Sequence, residues 1–124
     1  MSSILKLTLP WPNRELSPNY RPPHWSVKAK AVAAARAVGA GLEIPADFTF
    51  PKKARFEMTL TLHPAPRRAT TDTDNVLSSC KAVIDGIFQN INANDRQVYR
   101  TVIERGDCDK NKIGYIDFTL AVME

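Results

Sequence analysis

The chain has 124 residues, 44% of them hydrophobic and 24% charged, with a formal net charge of +4. That length points to one domain with a modest core. Two cysteines exclude a disulfide framework and a cysteine-ligated zinc site, and no run approaches the roughly 18 apolar residues that span a bilayer. The start, Met1 to Lys6, lacks a signal-peptide pattern, so a cytosolic protein is expected. The mild basicity suits a polyanionic partner without establishing one.

Ile4 to Leu9 alternates Leu5, Leu7 and Leu9 against Ile4, Lys6 and Thr8, the pattern of a short strand. Pro10 and Pro12 close it. The loop from Trp11 to His24 is long for a compact domain, and long loops are often functional. Arg14 and Arg21 within it are candidates for phosphate contacts. Trp11, Tyr20 and Trp25 are candidates for stacking on exposed bases, with Trp11 and Tyr20 alternatively covering the edge of the core. Ser26 is placed to cap a helix running to about Leu42, with Val27, Ala31, Ala35, Val38 and Leu42 as its apolar stripe. A stripe so rich in alanine permits close approach to a neighbour. Lys28, Lys30 and Arg36 decorate its outside, by default as a solvated face. Gly39 and Gly41 weaken its end and Pro45 stops it.

Arg55 to His63 is the clearest strand, with Phe56, Met58, Leu60 and Leu62 on one face. Pro64 to Arg68 then forms a loop in which Arg67 and Arg68 either hold a nucleic-acid strand or balance the carboxylates that follow.

Those carboxylates lie in Thr71-Asp72-Thr73-Asp74-Asn75. An amphipathic helix follows, with Val76, Cys80, Val83, Ile84, Ile87 and Phe88 on its apolar face. At about 100° per residue, Asp74, Ser78, Lys81 and Asp85 fall on one polar stripe. Beyond the helix, Asn90 to Asp95 is turn-rich and brings Asp95. Clustered carboxylates repel one another unless a cation neutralises them, and hard oxygen donors suit Mg²⁺. A nearby lysine can stabilise a phosphoryl transition state. The plain alternative is that Asp72 or Asp74 caps the helix and that Lys81 and Asp85 form a surface pair.

Asp95 opens an expected strand through Ile103. Gly106 to Asn111 has turn chemistry, and Ile113 to Met123 alternates again, so the two strands read as a hairpin. The order β-α-β-α-β-β is an α+β domain, a small mixed sheet with two helices.

The ordered set Asp72-x-Asp74-Asn75, Lys81, Asp85-Gly86, Asp95 and Val98 resembles the RusA family of Holliday-junction resolvases. Leu9-Pro10-Trp11-Pro12 and Asn19-Tyr20-Arg21 are similar to that family's opening strand and loop. The resemblance covers Leu7 to about Val98. It implies a homodimeric endodeoxyribonuclease that resolves four-way DNA junctions in recombination and repair, dependent on Mg²⁺ or Mn²⁺. The family's metal-binding catalytic carboxylates fall on Asp72, Asp74 and Asp95 and its essential lysine on Lys81. Asn75 and Asp85 match supporting positions. The chain departs from the family in two places. Asn75 and Lys81 are further apart than in the shortest form of the motif, with Ser78 where that form has lysine. Asn94 stands where many members have an acidic residue. Two other readings remain open, a related metal nuclease acting on flaps or nicked duplex and a non-catalytic nucleic-acid-binding module.

Overall fold

A computed structural model describes residues 3–123. Its main elements are β1 (Ile4–Pro10), α1 (Trp25–Ala40), β2 (Arg55–His63), α2 (Thr73–Asn90), β3 (Val98–Arg105) and β4 (Tyr115–Met123). Short 3-10 turns lie at Arg14–Leu16, Pro66–Arg68 and Asp95–Gln97. The class is α+β, with two helices and a mixed four-stranded sheet, in the expected β-α-β-α-β-β order. The chain forms two compact units interleaved in sequence. One holds the strands and comprises the segment through Trp11, Ile44–Thr71 and the segment from Asn94; the other holds both helices, in Pro12–Glu43 and Asp72–Ala93.

In the sheet unit the strand order is β1-β4-β2-β3. The two strands with the most regular alternation take the centre. Phe56, Met58, Leu60 and Leu62 of β2 are buried, as are Ile116, Phe118 and Leu120 of β4. They pair antiparallel, with Leu60 opposite Phe118. Pro10 is accommodated because β1 is an edge strand, where a missing N–H costs no ladder bond.

The expected hairpin of the last two strands does not form. β3 pairs parallel to β2, and β4 inserts between β1 and β2. The connection from β2 to β3 contains a whole helix, long enough for the crossover that a parallel pair requires. β3 is mostly exposed, and its charged residues suit the edge: Arg100 pairs with Glu57 at 3.2 Å. The strand also begins later than expected, at Val98, because Asp95 to Gln97 is a 3-10 turn.

The link from β3 to β4 is held by Asp109, a buried carboxylate that accepts N–H groups from Asn111 (2.9 Å) and Gly114 (2.8 Å). Gly114 has φ +95°, and a Cβ there would also meet Trp11 at 3.2 Å, so a side chain is excluded on both counts. The hydrogen bonds from Asn111 and Gly114 hold the Asp109 carboxyl below the usual aspartate range. Its folded value lies below the unfolded value of about 3.9. Its contribution is therefore complete above about pH 5 and is lost as pH falls through the folded value. Asp109→Ala is expected to lower Tm at pH 7. The gap to wild type should narrow between about pH 4 and the pH of acid unfolding, as thermal melts across pH would show.

In the helix unit α1 begins one residue before Ser26. His24 is the cap, its ring Nδ1 accepting the Ser26 N–H at 3.1 Å. This gives His24 a local structural role. The inward stripe of α1 ends on Gly39, which is buried, whereas Val38 is 45% exposed. Gly39 thus takes the inward place expected for Val38, while Leu42 is half-buried between exposed neighbours. The helices meet at two glycines. A Cβ on Gly39 would lie 2.1 Å from the Val83 carbonyl oxygen, and one on Gly86 would lie 2.1 Å from that of Arg36. Asn90 closes the far end, its Nδ2 donating to the carbonyls of Gly39 (3.2 Å) and Leu42 (2.7 Å).

All six residues of the expected apolar face of α2 are buried. Burial pushes the Cys80 thiol up to about 12, while Cys108 is exposed. Thiolate is the reactive form. In a thiol titration at about pH 8, Cys108 should react at once and Cys80 only after denaturant is added.

Candidate active site

Asp72 occupies the N-cap position of α2 with extended backbone, φ −63° and ψ 133°. Its carbonyl accepts the Val76 N–H at 3.2 Å, which starts the helix. Its carboxylate makes no cap hydrogen bond. The capping explanation for Asp72 is therefore not realised. Asp74 lies exposed in the first turn, where the partial positive charge of the helix end favours an anion. Asn75 contributes its backbone carbonyl to the Ser79 hydroxyl, at 2.8 Å.

Lys81 is exposed, two turns beyond Asp74 on the same stripe. The alternative surface pair of Lys81 with Asp85 does not form among the described residues. Asp85 instead faces Arg36 of α1, 4.0 Å away. That leaves the Lys81 ammonium without an ion-pair partner among the described residues.

In the sheet unit, Asp95 opens the 3-10 turn that precedes β3. The turn has a full capping box. The Asn94 side chain accepts the Arg96 N–H (2.9 Å), and the Gln97 side chain accepts the Asn94 N–H (2.9 Å). Gln97 also donates to the carbonyls of Lys52 (3.3 Å) and Ala54 (2.9 Å), anchoring the turn beside the start of β2. Asn94 thus serves to shape the turn that presents Asp95. An aspartate would cap about as well.

Sequence reasoning missed Arg105. Its guanidinium donates to the carbonyls of Ala69 (2.9 Å) and Thr71 (2.7 Å), fixing the backbone that runs directly into Asp72. Nothing in the sequence marks it, because a charged residue at the end of an edge strand is ordinary. Of the four arginines expected to meet phosphates, Arg67 and Arg68 form the 3-10 turn after β2, Arg67 exposed and Arg68 half-buried. Arg14 and Arg21 are exposed in the helix unit. Trp25 is 74% exposed and available for stacking, whereas Trp11 packs against Gly114.

Among the described residues, no group of three or more His, Cys, Asp or Glu is gathered to hold a metal ion. Mg²⁺ usually takes only one or two carboxylates, with water and substrate phosphates completing its shell. The two aspartates at the head of α2 meet that need in number and donor type.

No family model matches the chain. The chain is 36% identical over 100 residues to an uncharacterized protein of Xylella fastidiosa (strain Temecula1). The match spans 78% of this chain and 64% of that protein, which is therefore the longer of the two.

Proposed function

We propose that the chain is a Mg²⁺- or Mn²⁺-dependent endodeoxyribonuclease that resolves four-way DNA junctions. The observation that carries this reading is the head of α2. Two exposed aspartates stand there, the Asp72 carboxylate making no cap hydrogen bond, and Lys81, without an ion-pair partner among the described residues, follows two turns later. The resemblance of the ordered motif to the RusA family supplies the substrate.

A bound divalent ion would polarise the scissile phosphate and acidify the attacking water. Asp72 and Asp74 would supply the negative oxygens to hold it, and the resemblance adds Asp95 as a third carboxylate. Lys81 offsets the charge that builds on the phosphate oxygens in the transition state. Asn75 and Asp85 support the helix around these groups. Arg67, Arg68, Arg14 and Arg21 neutralise backbone phosphates, so binding should weaken steeply with salt. A four-way junction has two-fold symmetry and needs two cuts, which a C₂ homodimer with two equivalent sites would provide. Among the described residues, no helix is long and apolar enough to cross a membrane.

The test is a substrate panel of four-way junction, flap, nicked duplex and linear duplex, each with Mg²⁺ or Mn²⁺. Paired symmetric nicks in the junction, with linear duplex spared, are expected. Preferential cutting of flaps or nicks would make it a metal nuclease of another specificity. Binding without cutting under either ion would leave a non-catalytic module.

A further inference from the structure

The polar stripe of α2 faces a groove of about 300 Å³ that lies wholly within the helix unit. Lys81, Ser78 and Asp85 line it from α2, and Lys28 and Arg36 line it from α1. Its apolar floor includes Val32 and Ala82. Positions 28, 32 and 36 are successive turns of one helix face, so the two cations of α1 flank Val32 along the groove. Three cations face one carboxylate. The Lys28 ammonium is steadied by donating to the Ser17 carbonyl at 3.3 Å. Arg36 stands 4.0 Å from Asp85, a long contact that leaves most of its five N–H donors available.

We propose that this groove binds one sugar–phosphate unit of a nucleic-acid strand, with Lys28 and Arg36 as phosphate ligands outside the cleavage chemistry. The charge excess selects an anion, the apolar floor suits the face of a deoxyribose, and Ser78 adds a hydroxyl donor. The volume is at the lower end for ligand sites, enough for one nucleotide backbone unit. The inference rests on the proposed function in one respect. Lys81 belongs to both, so the strand held in the groove would be the one being cut.

The probe is thymidine bisphosphate, titrated into the full chain and followed by amide NMR with chelator present. Thymidine and inorganic phosphate serve as separate arms. Saturable shifts confined to residues 28–36 and 78–85 are expected with the bisphosphate, and none with thymidine. Equal shifts with inorganic phosphate would show a bare anion site and overturn the sugar–phosphate assignment. A Lys28→Gln/Arg36→Gln variant should lose the shifts and bind a four-way junction about tenfold more weakly. Its log–log salt slope should be smaller by roughly 1 to 2. Shifts mapping elsewhere, or a variant with wild-type affinity and slope, would overturn the inference. Groove shifts from a chain that cuts no DNA would remove the nuclease reading and leave the groove standing. Cleavage with an unchanged salt slope would do the reverse.

Discussion

Asp74→Asn should abolish junction cleavage while leaving the fold and junction binding in place. The substitution keeps size and hydrogen-bonding shape and removes one negative charge. On stability the loss is the interaction with the helix end, about 0.3 to 1 kcal/mol, too little to unfold a domain. On catalysis it removes a hard anionic donor from the proposed ion site, and each 1.36 kcal/mol there is about tenfold in rate. A fall of roughly a hundredfold or more is expected, read on a labelled junction beside a binding assay and a thermal melt. A purely structural Asp74 predicts cleavage at the wild-type rate, so the two readings differ by orders of magnitude in one assay.

Gly39→Ala and Gly86→Ala should both destabilise the chain strongly, and the sign is informative. Helix propensity alone favours alanine over glycine by about 1 kcal/mol, so a surface glycine replaced by alanine gains stability. Here each new Cβ would sit 2.1 Å from a backbone carbonyl oxygen of the facing helix. Backbone cannot rotate aside as a flexible side chain can, so the helices must part. Overpacking of this kind costs about 1 to 3 kcal/mol and occasionally more, which outweighs the propensity gain. A Tm lowered by several degrees or more is expected for each variant. A raised Tm would mean that propensity decides and that the crossing is looser than the geometry indicates.

These glycines also show where a sequence stops being legible. The hydrophobic period of α2 gives six of its nine buried residues, because a wide apolar stripe has only one way to face inward, and leaves out Ser79, Ala82 and Gly86. Gly39 and Gly86 carry no such periodic signal; Gly39 reads naturally as a helix-weakening residue near a C-terminus. Only the partner helix reveals it as a contact point. The alanine-rich stripe of α1 did announce close packing, but with so little apolar contrast around the helix its register was ambiguous by one residue.

The sheet divides in the same way. Element order and the core faces of β2 and β4 follow from alternation, whereas Pro10, expected to close β1, is its last residue. Strand order does not follow from alternation. Adjacent strands pair with each other often enough that a hairpin is the natural expectation, and β3 has weak alternation with which to contradict it. The deciding facts are non-local: β2 and β3 are joined through a helix, and β4 is the better central strand.

At the candidate site the sequence offers residue types and their order. It does not offer the local roles. That Asp72 caps nothing through its side chain, that Asn94 and Gln97 box the turn of Asp95, and that Arg105 pins the approach to Asp72 all depend on side-chain geometry. Lys28 and Arg36 read as solvated helix decoration until the groove placed them opposite Lys81.

The proposed chemistry depends on Asp72 and Asp74 holding a divalent ion at the head of α2. Amide NMR with substoichiometric Mn²⁺ tests this without assuming any DNA substrate, since a paramagnetic ion broadens only nearby signals. Broadening centred on residues 71–76 and reversed by excess Mg²⁺ is the predicted result. No broadening there, or broadening scattered over the acidic residues of the surface, would contradict it.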